Sequence, residues 1–193
     1  NCFALSEACY GAAQKAHLVF GVILGTGCGG GIVIDKKLVT GPNGISGEWG
    51  HNCMPANARA MISADRACYC GRTNCIETLL SGRGLSQSYF EATGEKLSAA
   101  EIAERAIGKF ASAKMCLEIY ADQLAHCLAT VINILDPEVI ILGGGLSNIA
   151  SLYERVPALL RPYVFNDQMH TRIVAPTFGD ASGAIGAACL WEH

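Results

Sequence analysis

The chain has 193 residues, about the length of one domain, and a net charge of −3 from 14 Lys and Arg against 17 Asp and Glu. Its basic residues are scattered, which excludes an electrostatic footprint for nucleic acid or an anionic membrane surface and leaves small molecules and protein surfaces as expected partners. No apolar run reaches the roughly eighteen residues of a membrane span and no basic-then-apolar leader opens the chain, so a cytoplasmic protein with its ten cysteines reduced is expected.

Residues 1–14 read as an amphipathic helix with Phe3, Ala4, Ala8 and Ala12 in line. No initiator Met precedes it, so the chain is expected to be a fragment or processed product. Two β-rich runs follow, 18–24 and 31–34, separated by a glycine-dense turn from Gly25 to Gly30. A third antiparallel strand is expected over 36–40. Residues 41–74 show no sustained period and read as a functional loop.

Helical patterns then cover 76–93, 98–109 (capped by Ser98) and 112–135. The apolar run 139–142 predicts a buried strand, Gly143 to Gly145 a turn, and 147–160 a helix. A last strand is expected over 172–175 and a small-residue helix over 182–191. Early antiparallel strands followed by alternating helices and strands predict an α/β domain with a mixed sheet.

Gly25, Gly27 and Gly30 match G-x-G-x-x-G, but a dinucleotide loop must open a helix, and here a β-branched strand follows. A Walker A loop is excluded because neither Gly-Lys-Ser nor Gly-Lys-Thr follows. Two readings stay open for this hairpin with Thr26 at its tip: backbone N–H groups that cradle phosphate, or a tight turn that binds nothing. Gly143, Gly144 and Gly145 are equally open between a plain turn and a ligand site at the carboxyl end of a strand.

Cys68, Cys70 and Cys75 place three thiols within eight positions, and His51 lies upstream in the same polar stretch. That set suits tetrahedral zinc with a closed shell, hence a structural rather than catalytic ion. Zinc held by His51 would draw Glu48 and Glu77 toward one point. Ionised carboxylates there suit sugar hydroxyls, although both also read as solvated loop acids.

Taken together, residues 25–31, 47–51, 68–77 and 136–145 resemble the ROK family of sugar kinases and repressors, nearest its bacterial fructokinase branch. The resemblance implies an actin-like, ribonuclease H-like lobe that serves ATP- and Mg²⁺-dependent phosphorylation of a hexose, with fructose the expected sugar and a homodimer the expected assembly. It also implies sugar contacts at Glu48, His51 and Glu77, and zinc ligation by His51, Cys68, Cys70 and Cys75. Nucleotide contacts are implied at Gly25, Thr26 and Gly27 and at Gly143, Gly144 and Gly145. Asn74 departs from the family's usual glycine before the last cysteine. The family's catalytic aspartate and first phosphate loop would precede Asn1, so the chain alone is expected to be catalytically silent. The alternative is the effector-binding part of a ROK transcriptional repressor.

Overall fold

The computed structural model describes residues 1–166 and 168–190. β1 (Leu18–Leu24) and β2 (Cys28–Ile34) pair antiparallel from Leu18 against Ile34 to Leu24 against Cys28. Gly29 and Gly30 therefore belong to the strand, and the turn shrinks to residues 25–27. β3 is only Lys37–Leu38, shorter than the run over 36–40 suggested. Asp35 and Lys36 both take positive φ (48° and 63°), the backbone of a two-residue hairpin whose twist matches its strands.

β4 (Val139–Gly143) lies parallel to β1, and β5 (Arg172–Val174) parallel to β4, giving the order β3-β2-β1-β4-β5. The sheet is mixed, as expected, and its central strands are buried on both faces. On one face Phe20, Val22, Leu24, Ile140 and Leu142 meet a long helix, α6 (Ala111–Leu135). On the other, Val19, Val33, Val139 and Ile141 meet α1 (Cys2–Cys9) and α8 (Ser182–Cys189). Each fully buried Val, Leu or Ile contributes roughly 1.5–3 kcal/mol of transfer free energy, which explains why β4 is apolar at nearly every position.

The short helix α2 (Ala56–Arg59) lies in the loop after β3. Residues 76–93 do not form one helix. α3 (Glu77–Leu80) stops at Ser81, whose backbone is extended, and α4 (Gly82–Thr93) restarts with the Ser81 side chain accepting the Gly84 N–H as its cap. The break lets the Gly82 N–H donate to Gly25 O at 2.7 Å, tying α4 to the glycine hairpin. α5 (Ala99–Ile107) has the predicted Ser98 capping box with Glu101. The helix expected over 147–160 is likewise divided into a 3-10 turn, Gly145–Asn148, and α7 (Ser151–Leu160), separated by the extended Ile149. The first helix ends at Cys9 rather than residue 14. Of the last predicted helix, Trp191 lies outside the described residues, as does His193.

Glu7 joins α1 to residues 177–182, far along the chain. It is fully buried, and its carboxylate accepts from the N–H groups of Ala12, Thr177 and Phe178 and from the Ser182 hydroxyl, at 2.7 to 3.0 Å. Burial pushes its carboxyl up, but these hydrogen bonds outweigh it and hold it below the ordinary value. α1 is thereby pinned to the segment that opens α8.

Candidate functional site

The loop 41–76 is anchored at Trp49. Its ring is buried edge-on against Phe20, at 5.7 Å between centroids, and its indole N–H donates to Gly29 O at 2.9 Å. These contacts fix the 3-10 turn Trp49–His51 against β2. The turn lies so close that any side chain at Gly50 would collide with Cys28 O. Glu48 is exposed at the head of this turn and His51 half-buried at its end.

His51, Cys68, Cys70 and Cys75 come together with one ligand atom from each, all within 4.8 Å of one another. His51 Nδ1 lies 3.6 Å from Cys68 Sγ, and Cys70 Sγ lies 3.6 Å from Cys75 Sγ. Tetrahedral zinc with Zn–S bonds of about 2.3 Å sets neighbouring sulfurs about 3.8 Å apart, so the donor set fits that ion. Hydrogen bonding by the Arg72 backbone and then its side chain draws the Cys70 thiol down to about 6, while burial pushes Cys75 up to about 12. Asn74 adopts φ 59°, so it supplies the left-handed turn without a glycine.

Tyr69 went unnoticed in the sequence, where it is only the spacer between two cysteines. Its hydroxyl lies 2.9 Å from His51 Nε2 and its ring packs edge-on to the imidazole at 5.1 Å. With zinc on Nδ1 the proton would sit on Nε2 and be donated to the phenol oxygen, the kind of outer contact that orients a ligating histidine. The negative charge of Glu77, with smaller effects from Cys68, Cys70 and Glu48, raises the Tyr69 hydroxyl above its ordinary value. Tyr69 thus touches His51 and lies within the field of Glu77 and, more weakly, Glu48.

Glu77 also reaches the hairpin. Its Oε2 accepts the Cys28 N–H at 2.9 Å, and a Cβ on Gly27 would stand 2.7 Å from that oxygen. Beside the hairpin opens a cavity of about 1050 Å³. It is lined by Gly25 and Thr26, by Gly145, Leu146, Asn148 and Ile149, and by α4, α5 and the turn between them, with Arg83, Gln87, Phe90 and Lys96 among the side chains. Lys96 Nζ sits over the Phe90 ring at 5.6 Å.

Of the six glycine-loop positions, Gly25, Thr26 and Gly145 line this cavity and the other three do not. Gly27 makes room for Glu77, and Gly143 for the Phe3 ring. Gly144 takes φ 80° with its Cα face against Leu24 O. The cavity's α4 and α5 residues carried no motif, which is why sequence inspection passed over them. His126 is a core residue, stacked on Tyr163 at 3.7 Å.

The model of the ROK family matches residues 1–193. The chain is 41% identical over 195 residues to an N-acetyl-D-glucosamine kinase of Histophilus somni (strain 129Pt), covering 99% of this chain and 64% of the relative. The chain thus spans just under two thirds of that relative's length. Among solved structures, a ROK family glucokinase from Streptomyces griseus in complex with glucose and AMPPNP superposes with a TM-score of 0.86 at 28% identity, over 98% of this chain and 65% of that one. A ROK family transcriptional regulator, homologous to the E. coli MLC protein, superposes at 0.82 with 24% identity over 99% of this chain and 50% of the regulator, a likeness of fold alone. No described helix is long and apolar enough to cross a membrane.

Proposed function

The chain belongs to the ROK family, and from that premise we propose that it forms the sugar- and nucleotide-binding part of an ATP-dependent kinase for N-acetyl-D-glucosamine. The observation that carries this reading is Glu77, one carboxylate shared between the neighbourhood of Glu48 and His51 and the hairpin whose Thr26 opens the cavity. A kinase needs its acceptor hydroxyl and donor phosphate adjacent, because phosphoryl transfer is catalysed chiefly by positioning and electrostatics.

In this reading Glu48 and Glu77 accept hydrogen bonds from sugar hydroxyls, and His51 Nε2 exchanges its contact with the exposed Tyr69 for a sugar hydroxyl when the sugar binds. The backbone at Gly25 and Thr26 meets the phosphates of ATP–Mg²⁺, and Gly145 with α4 and α5 flanks the nucleoside, while Gly27, Gly143 and Gly144 shape the backbone behind them. His51, Cys68, Cys70 and Cys75 would hold zinc, which when bound cross-links the loop and leaves no open coordination position. Tyr69 keeps the His51 ring in its tautomer.

Fructose, the sugar expected from the family resemblance, has no support. The N-acetyl-D-glucosamine kinase at 41% identity favours that amino sugar. The regulator's likeness is confined to the fold, and a cavity that continues from a glycine hairpin favours the kinase. Equilibrium binding tests the reading. N-acetyl-D-glucosamine is expected to bind the zinc-loaded chain at least tenfold more tightly than fructose, a difference of about 1.4 kcal/mol. Equal affinities would contradict the assignment.

A further inference from the structure

Arg66 is a cation withdrawn from solvent in an otherwise polar loop, its side chain only 7% exposed. Its backbone closes the base of the segment that carries the cysteines: its N–H donates to Asn74 Oδ1, and the Asn74 N–H donates to Arg66 O, both at 2.8 Å. The guanidinium then leaves the loop. Nη1 donates to the carbonyls of Thr78 (3.0 Å) and Gly84 (3.2 Å), and Nη2 to Ser88 Oγ and Glu91 Oε2, both at 3.0 Å. All four acceptors belong to α3 and α4, and α4 walls the cavity.

The contact runs one step further. Glu91 Oε1 accepts from Gln87 Nε2 at 2.9 Å, and Gln87 lines the cavity. A carboxylate only accepts, so Gln87 must turn its NH₂ to Glu91 and keep its carbonyl oxygen for another donor. At 1.5 Å per residue, Gln87 lies roughly 7–8 Å along α4 from Gly82, which is tied to the hairpin. It therefore stands beside the nucleoside part of a nucleotide whose phosphates meet Thr26.

We propose that Arg66 is a positioning residue that transmits the state of the four-ligand loop to the α4 wall, so that zinc in the loop and nucleotide in the cavity bind cooperatively. The inference rests on the zinc and nucleotide assignments given above. Its physical basis is that a buried guanidinium keeps its place only while its acceptors are in register. The buried Nε has no hydrogen-bond partner, so Nη1 and Nη2 alone hold the guanidinium. Without the ion, the segment 66–74 loses its cross-link to His51 and Cys75. Arg66 then slackens, and Glu91 no longer fixes Gln87. By linkage, nucleotide must strengthen zinc binding by the same factor that zinc strengthens nucleotide binding.

The test follows zinc content and ADP binding in the purified chain, together with zinc transfer to a colorimetric chelator with and without ADP. In the parent chain, chelation is expected to weaken ADP binding about tenfold, and saturating ADP to raise the chain's zinc affinity by about the same factor, so that about tenfold more chelator is needed to draw off half the zinc. Glu91→Gln is expected to keep full zinc content, bind ADP more weakly, and shrink both mutual effects below about twofold. Arg66→Lys should do the same, and if it fails to fold, Glu91→Gln decides alone. ADP binding unchanged by verified zinc removal, or full coupling retained in Glu91→Gln, overturns the inference while leaving both sites standing. A purified chain that takes up no zinc, or binds no ADP, overturns the site assignment and the inference with it.

Discussion

Glu77 serves two neighbours, and substitutions separate its roles. Glu77→Gln keeps an oxygen for the Cys28 N–H but removes the charge offered to a sugar, so sugar affinity should fall at least tenfold with little change in melting temperature. Glu77→Ala should in addition lower the melting temperature, because the Cys28 N–H loses its partner at a cost of about 1–3 kcal/mol. Calorimetry and thermal melts read the two effects apart. At the cysteines, Cys70→Ser removes a donor whose thiol is already drawn toward the thiolate by Arg72. Zinc measured by mass spectrometry should drop from one per chain to well below half. The cluster of His51, Cys68, Cys70 and Cys75 was legible because three cysteines within eight positions, with a histidine upstream, stand out by spacing. Tyr69 and Arg66 were not: a tyrosine between cysteines reads as a spacer and stays largely exposed in the fold, its one telling feature being the contact with His51, and an arginine in a polar loop reads as solvent-facing until α4 is packed against it.

At the scale of elements, the order of strands and helices was readable from periodicity, and the interruptions were not. Residues 76–93 look like one helix because each half, Ile76 with Leu79 and Leu80 and then Leu85 with Tyr89, keeps a helical spacing, and only the five-residue step from Leu80 to Leu85 departs from it. The break comes from tertiary structure, the Gly82 N–H being taken by Gly25 O. Ser81→Ala should cost about 1 kcal/mol through loss of the cap. It should also weaken nucleotide binding, because the capped turn is the part of α4 next to the hairpin; urea unfolding and ADP titration check the two effects. Gly144 gives a second case. At φ 80°, with a Cβ only 2.6 Å from Leu24 O, Gly144→Ala should destabilise by about 1–3 kcal/mol, measured in the same unfolding experiment. The triplet's conspicuous glycines thus divide between backbone geometry at Gly143 and Gly144 and the cavity at Gly145.

Across the whole molecule, the two helical layers are held to the sheet by separate cores, and Glu7 fastens the layer of α1 and α8. Its folded-state carboxyl lies below the ordinary 4.5, so its stabilisation is complete above the unfolded value and is lost as pH falls through the folded one. Glu7→Gln should cost about 2–3 kcal/mol at neutral pH, with the difference from the parent chain shrinking in acid. Unfolding curves at pH 7 and pH 3 test the sign. The mixed sheet was legible from the alternation of patterns, whereas the closure of α1 against residues 177–182 was not, because a single glutamate carries it over 170 residues.

The central claim is that sugar and nucleotide sites meet at Glu77 within this chain. Calorimetric titration of the zinc-loaded chain with ATP–Mg²⁺, and separately with N-acetyl-D-glucosamine and fructose, tests it most directly. The account predicts binding of nucleotide and of the amino sugar in preference to fructose. Sugar binding without any nucleotide binding would contradict it and turn the assignment toward an effector-binding regulator.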